Sequence, residues 1–174
     1  SEEASPEMVV RLLKHYCSAM SEIIFEHGGT LDKYIGDGLM ALFGAPNATP
    51  KDSCSAIIAA IEMQREMKYI NDEVRAIGFG EISIGIGLHT GEATVGYIGS
   101  ERRWEYTAIG DTVNLSFRLE SNARPGEILV SEETKRATGQ TLCTFLPRDP
   151  ITVKNRKQPV KIFEVDWRRM ETTA

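Results

Sequence analysis

Gly28-Gly29-Thr30-Leu31-Asp32-Lys33-Tyr34-Ile35-Gly36-Asp37-Gly38-Leu39-Met40-Ala41-Leu42-Phe43-Gly44 is the stretch on which the reading of this chain turns. Two short apolar runs, Leu31 to Ile35 and Leu39 to Phe43, are parted by Gly36-Asp37-Gly38. Asp-Gly between apolar runs is the strongest short-range signal of a β-hairpin, because the tight turn needs residues that accept positive φ. Asp37 then falls at a hairpin tip, where an exposed carboxylate can hold a hard cation such as Mg²⁺. Lys33 falls on the incoming strand. An Asp-Gly pair is most often only a turn, so this cluster alone does not establish chemistry.

The flanking sequence is built to surround such a hairpin. Ser5-Pro6-Glu7 offers a helix cap, a proline for the first helical position and an acid for the first turn. Val9, Leu12, Leu13, Tyr16, Met20, Ile23 and Ile24 follow at helical spacing, and Gly28-Gly29 ends the run. Gly44 to Pro50 reads as a loop. A second helix is predicted over 52–75 with Ala56, Ala60, Met63, Met67 and Ile70 on its buried face. Ile82, Ile84, Ile86 and Leu88 alternate with smaller or polar residues, which predicts a strand. Thr90-Gly91 turns the chain into a second strand over 93–98. A helix over 111–120, a strand over 128–130, a small helix capped by Ser131 and a final strand over 159–165 complete the pattern. No repeat, low-complexity tract or interdomain linker interrupts it, so residues 1–174 are read as one α+β domain with antiparallel pairs.

Composition narrows the function. The 174 residues carry a formal net charge of −5, with 41% hydrophobic and 26% charged side chains. That balance disfavours a general nucleic-acid binder, which needs clustered Lys and Arg, but leaves room for a small polyphosphate. No apolar run reaches the roughly 18 residues a membrane span requires. Cys17, Cys54 and Cys143 are odd in number, lack C-x-x-C spacing and read as free cytosolic thiols.

Two further polar clusters accompany the hairpin. In Glu105-Tyr106-Thr107-Ala108-Ile109-Gly110-Asp111-Thr112-Val113-Asn114-Leu115-Ser116-Phe117-Arg118-Leu119-Glu120, Asn114 and Arg118 lie four apart and share one helix face. Such a face pairs a neutral donor and acceptor with a permanent cation that can fork onto phosphate. A surface Asn beside an Arg ion-paired to Glu105 or Glu120 is the bland alternative. Val153-Lys154-Asn155-Arg156-Lys157-Gln158-Pro159 is a basic loop, either solvated or supplying a cation to a triphosphate.

Together these segments resemble class III adenylyl and guanylyl cyclases. The match takes in Gly28 to Gly44, Tyr106 to Glu120, Gly87-Leu88-His89-Thr90-Gly91-Glu92-Ala93, Gly96-Tyr97-Ile98-Gly99-Ser100 and Pro159 to Val165, in order and over nearly the whole chain. The resemblance implies a ferredoxin-like α+β fold, a mostly antiparallel sheet with flanking helices, and a head-to-tail homodimer with active sites at its interface. It implies that Asp37 is one of two aspartates holding two Mg²⁺ or Mn²⁺ ions. By the same similarity Lys33 and Thr107 read the purine, Asn114 orients the ribose, and Arg118 stabilises charge at the α-phosphate. Lys154 matches a triphosphate-binding lysine, although Asn155 replaces the family's glycine, and Arg103 or Arg102 adds a phosphate contact. Lys with Thr suits adenine and marks a Thr-bearing adenylyl cyclase subgroup of bacterial or soluble type, acting in cytoplasmic signalling on ATP. Guanylyl cyclases carry Glu and Cys, or another small residue, in those places.

One family feature has no counterpart. The opening strand Phe-x-Asp-Ile-x-Gly-Phe-Thr, with its metal-binding aspartate, does not occur, and Asp32 and Asp111 fall at other points of the motifs. The expectation for these 174 residues alone is therefore poor metal binding and weak or absent cyclisation. A guanylyl cyclase and a catalytically silent cyclase-like dimerisation module are the rival readings. A ferredoxin-like phosphate or RNA binder is disfavoured by the acidic charge and by the lack of an aromatic sheet motif.

Overall fold

The computed structural model describes residues 5–78, 80–139, 142–153 and 158–169. Helix α1 spans Pro6–Glu26, capped as expected: the Ser5 hydroxyl accepts from the Met8 amide and Pro6 opens the first turn. Strands β1 (Thr30–Ile35) and β2 (Gly38–Leu42) form the anticipated hairpin, with Ile35 opposite Gly38 and Gly36-Asp37 as the two-residue turn. Gly36 has φ +63°, the left-handed conformation that such a turn demands. Helix α2 (Asp52–Ala76) is long enough to serve two cores. Its Ala59, Met63, Met67, Ile70 and Val74 pack against Tyr16, Met20, Ile23 and Ile24 of α1, with Leu31, Leu39, Ala41 and Phe43 of the hairpin beside them. Val9 departs from the expected helix face. It is exposed, because the packing of α1 against α2 is concentrated from Tyr16 onward.

The second core lies on a four-stranded sheet ordered β3-β6-β8-β7, with β3 Ile86–Leu88, β6 Ile128–Ser131, β7 Phe145–Ile151 and β8 Val160–Val165. The pair β3–β6 is parallel and the other two are antiparallel. Strand β6 is buried on both faces, so its side chains divide by the period of two. Ile128 and Val130 meet Ile57, Ala60 and Ile61 of α2, whereas Leu129 meets Leu115 and Leu119 of helix α3 (Asp111–Asn122). Val160 and Ile162 of β8 join the α3 side, and Val165 joins the α2 side. Helix α4 (Glu132–Thr138) is capped by Ser131, whose hydroxyl accepts from the Thr134 amide. A separate ribbon, β4 (Thr94–Ser100) with β5 (Arg103–Ile109), pairs antiparallel in unbroken register.

Three differences from the sequence reading have physical causes. The strand expected from Ile82 begins only at Ile86. Upstream, Asn71 of α2 takes the Ile82 amide and donates to the Ile82 carbonyl, both at 2.8 Å, and Gln64 donates to the Ile84 carbonyl at 3.1 Å. Helix side chains thus replace a neighbouring strand, while the alternation of Ile82, Ile84 and Ile86 toward the core survives. Strand β5 was not expected, because its residues were read for their polar chemistry. Strand β7 was not expected either, and Pro147 and Pro150 within Phe145–Ile151 mask it. It lies at the sheet edge, with a register shift between Arg148 and Ile151, which is where prolines are tolerated.

Helix α3 lies directly on β3. A Cβ added to Gly87 would sit 2.2 Å from the Glu120 amide nitrogen and 2.7 Å from the Ser116 carbonyl oxygen, both backbone atoms that cannot swing away. Gly87→Ala should therefore lower stability by about 3 kcal/mol or more. Gly80→Ala, where an added Cβ meets nothing within 4 Å, should change it by less than about 0.5 kcal/mol. Urea unfolding of the two variants side by side checks this, and equal midpoints would contradict it.

Candidate active site

Strand β1 carries an irregularity at its most polar point. Leu31 is opposite Ala41 and Lys33 opposite Met40, so Asp32 is the extra residue of a β-bulge. In a regular strand Asp32 and Lys33 would face opposite sides of the sheet. Here the Asp32 side chain is fully buried and the Lys33 ammonium lies 3.5 Å from its Oδ2. Thr107, on β5 and only 7% exposed, donates its hydroxyl to the same Oδ2 at 2.9 Å. Lys33 and Thr107, brought from two different hairpins, thus meet on one carboxylate. Glu105 stands on the other side of the ammonium at 3.8 Å. The second Asp32 oxygen, Oδ1, is buried with no hydrogen-bond partner among the described residues.

The hairpin is fixed to α1 from its other side. The Ser21 hydroxyl donates to the Cys17 carbonyl at 2.6 Å and lies 2.8 Å from the Tyr34 hydroxyl, so Tyr34 is the donor in that second contact. Asp37 is exposed at the tip. The Tyr16 phenol is pushed up to about 12, first by burial and then by the negative charges of the Cys17 thiolate and Asp37. Burial also raises Cys17, and it raises Cys143 to about 11, with Cys54 adding to the latter. All three cysteines are free, as the sequence suggested, and the raised Cys17 and Cys143 are protonated near neutrality and are poor nucleophiles.

Beyond β5 the chain turns at Gly110, which has φ +135° and caps α3. Leu115 and Leu119 point into the core, which leaves Asn114 and Arg118 exposed on a flanking face, four residues apart. Neither acid that could have neutralised Arg118 is paired with it among the described residues. Glu105 pairs with Arg103 at 2.6 Å and lies 3.8 Å from Lys33, while Glu120 is exposed and the neighbouring Ser121 hydroxyl donates to the Phe117 carbonyl at 2.8 Å. Among the described residues the Arg118 guanidinium has no carboxylate partner. Arg103, by contrast, is held by Glu105 at an exposed position. Lys154 and Asn155 lie outside the described residues.

No cluster of three or more His, Cys, Asp or Glu side chains with metal-holding geometry exists among the described residues. Asp37 fits the role of a single carboxylate ligand, the way Mg²⁺ is held when substrate phosphates complete its shell. A groove of about 530 Å³ along α1, lined by Val10, Leu13, Cys17, Ser21 and Tyr34 among others, includes none of Lys33, Asp37, Thr107, Asn114 or Arg118.

Residues 1–166 match the family model described as the adenylate and guanylate cyclase catalytic domain. The chain belongs to that family. It is 34% identical over 166 residues to adenylate cyclase 1 of Rhizobium meliloti (strain 1021), covering 95% of this chain and 25% of that protein. It is 35% identical over 173 residues to an adenylate cyclase of Anabaena cylindrica, covering 95% and 34%. Among solved structures, the adenylyl cyclase CyaB from P. aeruginosa superposes with a TM-score of 0.90 at 38% identity, over 94% of this chain and 85% of that one. The guanylyl cyclase Cya2 does so with a TM-score of 0.89, also at 38% identity, over 94% and 83%. The chain thus spans between a quarter and about a third of the length of these curated relatives. None of its described helices is long and apolar enough to cross a membrane.

Asp32 is the site residue that sequence reasoning passed over. Strand alternation places it on the face opposite Lys33, and nothing in its residue type signals the bulge.

The raised Tyr16 phenol makes a pH prediction. Tyrosine in the unfolded chain titrates near 10, so the folded domain holds this proton to higher pH. The stabilisation is complete below pH 10 and is lost as pH rises from 10 through about 12. Tyr16→Phe should flatten the alkaline fall in unfolding free energy over that window, and a slope equal to the wild type would contradict the assignment.

Proposed function

We propose that this domain converts ATP to 3′,5′-cyclic AMP and pyrophosphate, as the catalytic part of a signalling protein. The observation that carries the reading is the convergence of Lys33 and Thr107 on Asp32. A lysine donor suits the acceptor N1 of adenine, and a threonine oxygen suits the donor 6-amino group. The names of the curated relatives support ATP. The near-equal match to a guanylyl cyclase structure makes the fold itself neutral between nucleotides, so specificity must rest on these side chains.

In this reading Asn114 holds the ribose and Arg118, with no carboxylate partner among the described residues, spreads its charge over the α-phosphate as negative charge builds there. Lys154 and Arg103 steady the outer phosphates. The ribose 3′-oxygen attacks the α-phosphorus in line, the bond to the bridging oxygen breaks, and pyrophosphate and a proton leave. Catalysis is mainly positioning and charge stabilisation, as in other phosphoryl transfers. The family is divalent-metal dependent, and a cation at Asp37 would acidify the 3′-hydroxyl and neutralise phosphate charge.

Residues 1–174 are read as one catalytic domain, cytosolic, and paired head to tail with a second copy. The β4–β5 ribbon supports the pairing. It exposes Tyr97 (73%) and Trp104 (57%) beside Val95, with Tyr97 and Tyr106 edge to face at 5.4 Å. A two-stranded ribbon with an uncovered aromatic face is marginal alone and gains stability from a partner. The silent-module alternative is weakened by the presence of Lys33, Asp37, Asn114 and an Arg118 with no neutralising acid among the described residues.

In the full-length protein carrying this domain, Asp37→Ala and Asn114→Ala should each lower cyclic AMP formation at least about a hundredfold. Mixed, they should recover activity through heterodimers that hold one intact site. No recovery, with heterodimers shown to form, would sink the shared site.

A further inference from the structure

We infer that Asp32 is a specificity-positioning residue: its buried carboxylate fixes the proton of the Thr107 hydroxyl, so that Thr107 presents only lone pairs to the purine. This rests on the nucleotide reading of the site proposed above and deepens it.

A hydroxyl has one proton and two lone pairs, and left to rotate it offers either role to a ligand. A carboxylate can only accept. The 2.9 Å contact therefore commits the Thr107 proton to Asp32. The weaker contact of the same hydroxyl, to the Ala108 carbonyl at 3.5 Å, is also to an acceptor and leaves the same outcome. What remains to face a base is an acceptor. Adenine meets it with a 6-amino donor. Guanine meets it with a carbonyl oxygen, setting two acceptors against each other, an arrangement a buried site rejects. Threonine by itself does not discriminate between the two bases; threonine held by Asp32 does.

Three observations indicate that Asp32 is not there for stability. Its Oδ1 is buried without a partner among the described residues, a state that costs free energy and that an apolar residue would avoid. It occupies the extra position of a bulge, the device that turns a side chain out of strand alternation, often beside active sites. Finally, the group it accepts from belongs to the other hairpin, at the residue whose hydroxyl is read here as touching the base. Lys33, 3.5 Å away, shares the carboxylate but retains ammonium protons for N1.

The test measures kcat/KM for ATP and for GTP in the full-length protein that carries this domain, for wild type, Asp32→Asn and Asp32→Ala, with Thr107 intact and in a Thr107→Ala background. Both Asp32 variants should lower the ATP-to-GTP ratio about tenfold, the worth of one directed hydrogen bond. Lys33 keeps ATP the better substrate. Thermal stability should stay level or rise. In the Thr107→Ala background the same changes should move the ratio less than about twofold, because the hydroxyl they act through is gone. An unchanged ratio in folded Asp32 variants overturns the inference. So does an equal fall without Thr107, which would place the effect on Lys33, and so does loss of folding in both variants, which would make Asp32 structural. Affinities for unreactive ATP and GTP analogues give the same ratio without turnover. Failure of the cyclase reading, seen as a wild type that binds analogues but cyclises neither nucleotide, is thereby told apart from failure of the Asp32 inference.

Discussion

Helix α3 can lie where it does only because residue 87 has no side chain. Backbone atoms of Glu120 and Ser116 occupy the space a Cβ would need, so α3 and β3 touch main chain to main chain. Leu115 and Leu119 then fill the space over Leu129, Val160 and Ile162. With one face of α3 committed to that core, Asn114 and Arg118 must look outward, and the Gly110 turn ties them to Thr107 on the preceding strand. Thr112 adds a tether, its hydroxyl donating to the Glu92 carbonyl at 2.5 Å. The geometry of the Asn114 and Arg118 side chains is thus a consequence of packing density rather than of any contact between them.

The side of the candidate site formed by Lys33 and Thr107 depends on a different kind of link. The β1–β2 and β4–β5 hairpins belong to separate sheets. What joins them near the site is polar: Thr107 to Asp32, with Lys33 and Glu105 flanking. Buried polar links of this kind are directional and lose most of their value when one partner is removed. They suit recognition better than they suit stability. On the β4–β5 ribbon Thr107 faces the opposite side from Tyr97, Tyr106 and Trp104, so one face of the ribbon meets Asp32 while the other is left to the proposed dimer.

Much of this was legible in the sequence. The Asp-Gly turn placed Asp37 at a hairpin tip, the Ser5-Pro6-Glu7 start fixed the beginning of α1, and the spacing of Asn114 and Arg118 put them on one face. These are local signals, set by a few neighbouring dihedrals. Strand β7 was hidden because Pro147 and Pro150 argue against a strand unless the strand is known to lie at an edge, and edge position is a property of the whole sheet. The start of β3 was misjudged because Asn71 and Gln64, eleven and twenty residues away, satisfy its backbone. Asp32 was missed for the same kind of reason. Alternation assigns it to the face opposite Lys33, and only a bulge, which leaves no mark in residue type here, brings the two together.

In the proposed function a lysine and an oriented threonine make this domain a reader of adenine on a scaffold that serves either nucleotide. The most direct measurement is a side-by-side determination of kcat/KM for ATP and GTP in the wild-type full-length protein that carries the domain. The account predicts cyclic AMP as the main product, with ATP preferred by at least about a hundredfold, the combined effect of two directed hydrogen-bond mismatches against guanine. Equal turnover of the two nucleotides, or a preference for GTP, would contradict it.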